Sequence, residues 1–547
     1  MKHRIKKNIW LVIPLVFLLY SAPGALDFVF HFPDEKYYTD AVLQMMDKDD
    51  YLTPYKADGT PRFLKPIVTY WVLIGSYTVF GVSPFSSRFF FWIAGALLAA
   101  ITYLMANSLL KDRRAAVAAA LITASNPLVL MGASRSIPDI LLVLFLTISA
   151  WGFLKIMTED HPREKYYWMA YLGPAVAFQT KGLPAAAFAG LSFLYLVLNP
   201  WQKKHWKQVV HPAAIIVSAV VAISWFLAMY LKHGAEYLSS FFADQVGYRV
   251  SSRSAQVFGN ALLGIINLAA FTLPWIAIGF SKPKNLMQFV RIASLKNKAI
   301  LGFIVLWLVA VIAMSGAVFK FYDRYLLPVI PVSALAFAIL ISSSETRGKG
   351  FSAKLFIILN LAVLTISVLY GLFIMTDKLH ITGIVVGIIS FSIIYLLNRR
   401  NYQPEIIISG GILLLWFNMH ILLFTLLMPN PGEQLVQSIE KEDHDGNRTV
   451  YVYGNIRTAS NIRIHSGNRL DVVSMDTMYN LPAGKNHILV FSGKEEPLLN
   501  LRQYQIKEGS EEWKRLHEEK FPVFLQETIR QIKDSGTEYF IAIPEQK

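Results

Sequence analysis

The sequence predicts a polytopic α-helical membrane protein carrying a small α/β domain at its carboxyl end. Three observations predict it. Apolar runs of about 20 residues, the length that crosses a bilayer, recur from residue 8 to residue 428. Charged residues make up only 16% of the 547, against roughly a quarter in soluble chains. After residue 428 the composition turns charged, and short strand-like runs replace the apolar ones.

The opening "MKHRIKKNIW" is basic and then apolar, like a secretory signal. "SAPGALDF" is a weak cleavage site, so 8–26 is expected to be an uncleaved first span with a cytoplasmic amino end. Further spans are expected near 87–110, 115–132, 137–157, 165–180, 183–200, 211–231, 258–280, 299–317, 325–343, 354–375, 379–397 and 405–428, thirteen in all. The basic clusters "KDRR" (111–114), "PREK" (162–165), "KKHWK" (203–207), 282–298, 347–354 and "NRR" (398–400) then fall in alternate loops on the side of the amino terminus. That is the distribution the positive-inside rule requires. It accounts for the net charge of +15 without nucleic acid, for which no module is present. An odd number of spans puts the carboxyl end outside.

One apolar stretch resists this scheme. Counting "KPIVTYWVLIGSYTVFG" (65–81) as a span would move most later basic loops outside. It is therefore expected to lie in the outer interface, with Trp71 at headgroup level. Residues 27–86 become one external loop, holding a helix around 34–48 and a turn at "KADGTPR". Beyond "PNPGEQ", a linker, the runs "TVYVYG", "RLDVVS", "HILVFS" and "EYFIAI" read as strands and 510–533 as helix. The result is a 1–428 membrane domain followed by a 429–547 α/β domain with a partly parallel sheet. That domain carries no Gly-rich phosphate loop and no recognisable catalytic constellation. The chain has no cysteine, which excludes disulfides, a thiol nucleophile and a cysteine metal site.

With this topology the outer face collects Asp34, Glu35, Asp40, Arg62 and Lys65 in the first loop, then Arg135, Asp139 and Lys181, then Asp244 and Arg249, and finally Lys320 and Arg324. Burying such groups near mid-membrane costs about 2.5–3.5 kcal/mol each on insertion scales, and they usually face a cavity or a partner. Cations converging beside a few carboxylates suit an anionic substrate, and in an outer-leaflet cavity the obvious anion is a lipid phosphate. A sugar on a lipid phosphate brings its own leaving group. Fixed cations stabilise the departing phosphate, and a carboxylate takes the acceptor's proton. Each residue also has a plainer role. Asp34 and Asp139 could cap helices, Lys65 could snorkel to the headgroups, Lys181 could end its helix, and Arg249 and Arg324 could hold lipid headgroups.

The segment "PDEKYYTDAVLQMMDKDDYLTPYKADGTPRFLKPIVTYWVLIGSYTVFGVSPFSSR", with "SRSIPDILLVLF", "FQTKGLPA", "FFADQVGYRV" and "RYLLPVIPVSALA" following in order, resembles the superfamily of the aminoarabinose lipid A transferases and the dolichyl-phosphate-mannose protein mannosyltransferases. These are membrane glycosyltransferases of the GT-C type. The resemblance implies Asp34 as general base, Lys65 and Arg249 as ligands of the donor phosphate, and Lys181 as a further lysine beside it. Glu35, Tyr38, Arg135, Asp139, Asp244, Lys320, Arg324 and Tyr325 are the other residues expected in the cavity. The sequence departs from the pattern at Leu64, Ile67 and Ala243-Asp244, where the family often has Glu, Pro and a Glu-His pair. A Glu and a His can together ligate a metal, so the resemblance implies no required metal, although Asp34 or Asp244 could still hold one. The expected activity is transfer of a sugar from a polyprenyl (undecaprenyl) phosphate to lipid A or another envelope glycolipid, on the periplasmic face of the inner membrane and with inversion. A protein Ser/Thr acceptor, or a lipid-linked glycan transporter without chemistry, are the alternative readings.

Overall fold

The computed structural model describes residues 8–26, 34–243, 254–279, 294–342, 348–373, 378–424, 431–443, 447–454, 456–476, 479–513 and 518–545. The membrane portion begins with α1 (Ile9–Leu26). The first external segment folds into α2 (Glu35–Asp47) and α3 (Val68–Phe80). Then come α4 (Pro84–Leu110), α5 (Arg113–Ala124), α6 (Pro127–Ala133), α7 (Asp139–Thr158), α8 (Glu164–Lys181), α9 (Leu183–Leu198) and α10 (Pro212–Phe242). The series ends with α11 (Ser254–Phe271), α12 (Leu295–Ala317), a 3-10 turn over Asp323–Val329, α13 (Ile330–Ser342), α14 (Gly348–Phe373), α15 (Lys378–Arg399) and α16 (Pro404–Asn418).

Among the described residues nine helices are long and apolar enough to cross a membrane, or ten if the bent pair α5–α6 forms one span. Helices α1, α8 and α9 stand at three further expected spans but are shorter or less apolar, so length and apolarity do not establish the expected thirteen. Helix α3 has 13 residues. At 1.5 Å per residue it reaches about 20 Å, short of the ~30 Å hydrocarbon core. It buries Tyr70, Leu73 and Tyr77 while Trp71 stays half exposed, its Nε1 donating to the Tyr51 carbonyl at 2.8 Å.

The expected outer loop over 232–257 is corrected over 232–242. Helix α10 runs on to Phe242 past a break at Gly234. Tyr237 and Phe241 continue an apolar face there, packing on Trp225 (5.7 Å between ring centroids) and Phe226 (5.2 Å). The same extension meets the external segment. Asp50 accepts from Lys232 Nζ (2.5 Å), the Tyr55 hydroxyl (2.5 Å) and the backbone N–H groups of Leu52 (3.1 Å) and Thr53 (3.2 Å). Burial pushes the Asp50 carboxyl up, but the Lys232 contact and these hydrogen bonds outweigh it and hold the group well below the usual carboxylate range. A carboxyl depressed in the folded state stabilises above its unfolded value and loses that contribution as pH falls. The tie between the external segment and α10 is therefore expected to hold at pH 5–7 and to loosen progressively below about pH 4. Limited proteolysis across that range checks it, and Asp50→Asn should give the same loosened cleavage pattern already at pH 7.

Helices α7 and α8 pack so closely that a Cβ on Gly152 would come within 2.5 Å of the backbone of Ala170 and Tyr166. Small residues allow this approach. The pair places the amino end of α7 beside the carboxyl end of α8.

In the carboxyl-terminal domain α17 (Pro431–Glu442) starts inside the expected linker "PNPGEQ", already helical at Pro431. The domain continues with β1 (Thr449–Tyr453), α18 (Ile456–His465), β2 (Val472–Asp476), β3 (His487–Ser492), β4 (Tyr504–Glu511), α19 (Val523–Asp534) and β5 (Glu538–Pro544). The sheet order is β2-β1-β3-β5-β4. β1 is parallel to β2 and β3, while β5 is antiparallel to β3 and β4. Strand β4 takes the first two residues of the helix expected over 510–533, and the α-helix there, α19, starts only at Val523. β4 is an edge strand, and edges tolerate charged residues that a strand pattern penalises, as in "YQIKEGSE".

Candidate active site

A cavity of about 1090 Å³ opens where the external segment, the ends of the membrane helices and strand β2 meet. Its walls include Asp34, Tyr38, Lys65, Asp139, Lys181, Arg324 and Tyr325, seven of the residues singled out in the sequence.

Asp34 precedes α2 but makes no side-chain cap hydrogen bond, which corrects the capping expectation. Its carboxylate turns into the cavity instead, with Oδ2 2.6 Å from Arg324 Nη2 and its side chain 37% exposed. Arg324 lies on the 3-10 turn before α13, and its Nε stands 3.9 Å from Asp139 Oδ2. The other Asp139 oxygen takes Lys181 Nζ. Asp34, Arg324, Asp139 and Lys181 thus form a row of alternating charge across four chain segments. Asp139 is the first residue of α7 and Lys181 the last of α8, so the close α7–α8 contact brings them together. The chain leaves Lys181 through Gly182 at φ +84°, a conformation that other residues rarely adopt. It is the "TKG" turn, and it stops α8 where the lysine is needed.

Lys65 lines the same cavity and is 7% exposed. Tyr325 carries the Lys181 ammonium 5.2 Å from its ring centroid. Tyr38 is buried, its ring 5.4 Å from that of Tyr70, and burial holds its hydroxyl pKa well above the ordinary value.

Three expected residues lie elsewhere. Glu35 does not line the cavity. It is fully buried and clasps Arg88 through Oε1 and Oε2 at 2.9 and 2.7 Å, while Oε1 also accepts from Ser136 N (2.9 Å) and Oγ (3.1 Å). Burial alone would raise its carboxyl, but Arg88 and Ser136 bring it below the ordinary value. Its part is to fix α2 against α4 and the turn before α7. Arg135 belongs to that turn, beside Glu35, Arg324 and Asp139, outside the cavity wall. Lys320 is exposed, its ammonium 5.5 Å from the Tyr322 ring. Asp244 and Arg249 lie outside the described residues.

Two cavity features have no role assigned from the sequence, although Arg62 is among the outer-face charges counted there. Arg62 is buried in the wall. Strand β2 supplies another side through Val472, Val473, Ser474 and Met475. Arg463 of α18 holds β2 in place. Its Nη2 donates to the Val472 carbonyl at 2.7 Å and its Nη1 to Asp40 of α2 at 2.8 Å, both ends being buried. Removing one partner of a buried pair costs about 3–5 kcal/mol. Arg463→Met is therefore expected to undock the carboxyl-terminal domain from α2, read as faster proteolytic release of a fragment of residues 431 onward, with the membrane portion still folded.

Among the described residues no three His, Asp or Glu side chains cluster as a metal site. Arg324 and Lys181 already occupy Asp34 and Asp139, so these carboxylates do not fit a divalent cation.

The dolichyl-phosphate-mannose-protein mannosyltransferase family model matches residues 64–227. An uncharacterized protein of Aquifex aeolicus is 26% identical over 371 residues, 67% of this chain and 70% of its own length. The undecaprenyl phosphate-alpha-4-amino-4-deoxy-L-arabinose arabinosyl transferase of Pectobacterium atrosepticum is 28% identical over 281 residues, 51% of this chain and 50% of its own. The match with the Yersinia pestis transferase of the same description is 28% over 308 residues, 55% and 54%. This chain thus spans about half the length of the arabinosyl transferases it matches. The crystal structure of ArnT from Cupriavidus metallidurans bound to undecaprenyl phosphate superposes with a TM-score of 0.70, covering 98% of this chain and 97% of that one at 18% identity. The two share a fold throughout.

Proposed function

We propose that this chain, a member of the GT-C superfamily of the aminoarabinose lipid A transferases and the dolichyl-phosphate-mannose protein mannosyltransferases, transfers a sugar from a polyprenyl-phosphate donor to lipid A or another envelope glycolipid. The reaction takes place on the outer face of the bacterial inner membrane and inverts the anomeric carbon. One observation carries this reading. A carboxylate more than a third exposed, Asp34, shares a cavity with Lys65, Lys181 and Arg324, so a proton acceptor and cations for a leaving phosphate face one space.

The acceptor hydroxyl oxygen attacks the anomeric carbon and its proton passes to Asp34. The bond from that carbon to the phosphate oxygen breaks, and its electron pair leaves with the phosphate. Lys65 is placed to receive the charge, with Arg249 as the second ligand that the resemblance implies. Arg324 orients Asp34 through its contact at 2.6 Å, and Asp139, itself bound by Lys181, holds Arg324. Undecaprenyl phosphate, named in the descriptions of the relatives and of the ArnT complex, is the donor carrier this reading takes. The mannosyltransferase family match favours protein Ser/Thr as the second acceptor to consider.

Mass spectrometry of lipid A and of polyprenyl-phosphate sugars in a deletion strain tests the proposal. The expected result is loss of one lipid A substituent with build-up of the donor. Unchanged lipid A with lost glycopeptides selects the protein acceptor. A strain unchanged in glycolipids, glycopeptides and donor pool overturns transferase activity.

A further inference from the structure

The catalytic scheme gives no task to Arg62, a buried arginine in the cavity wall. The segment that carries it is rigid. Its N–H donates to the Pro54 carbonyl at 2.7 Å, just after the turn in which Lys56 and Thr60 are hydrogen-bonded. The guanidinium carbon lies 4.8 Å from the Tyr37 ring centroid and 5.6 Å from that of Tyr38. The residue is more than nine-tenths buried, at 8% exposure, and lines the cavity. Its Nε has no hydrogen-bond partner. The groups that face it are the tyrosines Tyr70, Tyr38 and Tyr37, and among the described residues no carboxylate pairs with it. The nearby carboxylates are committed elsewhere, Asp34 to Arg324, Asp139 to Lys181 and Asp40 to Arg463.

A buried guanidinium without a counter-ion is costly, and an unpaired buried donor in a native structure calls for an explanation. Packing does not supply one, since an apolar side chain would fill a place between aromatic rings without the desolvation penalty. A ligand does. The planar fork of arginine is suited to two-point recognition of a carboxylate or phosphate. Position narrows the ligand further. Tyr38, the ring beside Arg62, lies in the first turn of α2, which Asp34 precedes, and this closeness to the proposed proton acceptor favours a group on the carbohydrate over one on the lipid chain. Lys48 and Lys56 line the same cavity, as does Asp58, whose carboxylate accepts from Thr60. A protonated amine on the sugar, like that named for the arabinosyl transferases, would meet like charge here.

We propose that Arg62 forms an anion subsite, separate from the donor-phosphate ligands, that selects a carbohydrate bearing a carboxylate or phosphate and disfavours one bearing a protonated amine. The proposal rests on the polyprenyl-phosphate reading above. The anion sits either on the transferred sugar or on the acceptor, and the test separates the two.

Full-length protein in nanodiscs is titrated calorimetrically with undecaprenyl phosphate and with neryl-phosphate conjugates of glucuronic acid, glucose and 4-amino-4-deoxyarabinose. In a second arm it is titrated with a bis-phosphorylated glucosamine disaccharide and its dephosphorylated counterpart. An anion on the donor sugar gives at least about tenfold tighter binding of the glucuronate conjugate than of the glucose one, as expected for a charge-assisted contact, with the amino sugar weakest. An anion on the acceptor gives that preference for the bis-phosphorylated disaccharide instead. In either case Arg62→Gln removes the preference, Arg62→Lys restores part of it, and affinity for undecaprenyl phosphate stays within about twofold. Equal binding of charged and neutral probes by the wild type overturns the subsite, whatever the variants do. So does a matching fall in undecaprenyl phosphate affinity in Arg62→Gln, which would make Arg62 a donor-phosphate ligand. If the wild type does not bind undecaprenyl phosphate at all, the underlying donor reading fails instead.

Discussion

Asp34→Asn is expected to lower the rate of sugar transfer by about 10²–10⁴, the range a positioned general base contributes, while donor affinity changes little. The amide keeps the size of the carboxylate, and its oxygen can still accept from Arg324, so the wall survives. What it loses is the capacity to take a proton. Purified protein with a polyprenyl-phosphate sugar and a glycolipid acceptor measures this as single-turnover transfer, with donor binding titrated separately. Asp139→Asn serves as the control for charge. It weakens the contact with Lys181 and Arg324 but leaves the Asp34 carboxylate, so its loss should be smaller. Full transfer by Asp34→Asn would remove this residue from the chemistry.

Glu35→Gln is expected to damage the fold more than the chemistry. The carboxylate is fully buried and receives four hydrogen bonds, two from Arg88 and two from Ser136. The amide cannot balance the guanidinium, and breaking a buried pair costs about 3–5 kcal/mol. Thermal unfolding of the purified protein should show a clear drop. Arg88→Met should do the same, since it strands the carboxylate. The double variant Glu35→Gln with Arg88→Met should recover much of the loss because neither charge is then left alone. If each single variant were as stable as the parent, the pair would not be what fixes α2 to α4.

The first external helix was legible because its apolar positions repeat at helical spacing; 34–48 was expected and Glu35–Asp47 forms. The cavity residues on the ordered motifs were legible too, because charged groups at the ends of apolar runs stand out. The partners were not. Glu35 and Arg88 are 53 residues apart, and no local pattern joins them. A signal was present, since an arginine inside the apolar run "FSSRFFFW" requires a counter-charge. Asp34 looked like a helix cap because an Asp before a helix usually is one, but the nearby guanidinium of Arg324 outcompetes the backbone amides for it. Arg62 sat in plain view among the loop charges. Its burial could not be foreseen, because it depends on Tyr37, Tyr38 and Tyr70 closing round it.

The wall supplied by β2 also sets an order in time. Arg463 and Asp40, whose bond holds that wall, are 423 positions apart, and ribosomes make Asp40 long before Arg463. The membrane portion can therefore be threaded and packed, with Asp34 and its row of neighbours in place, while one side of the cavity is still missing. Only when the carboxyl-terminal domain has docked on α2 is the cavity walled on that side. An unfinished chain would hold Asp34, Arg324, Asp139 and Lys181 without that wall.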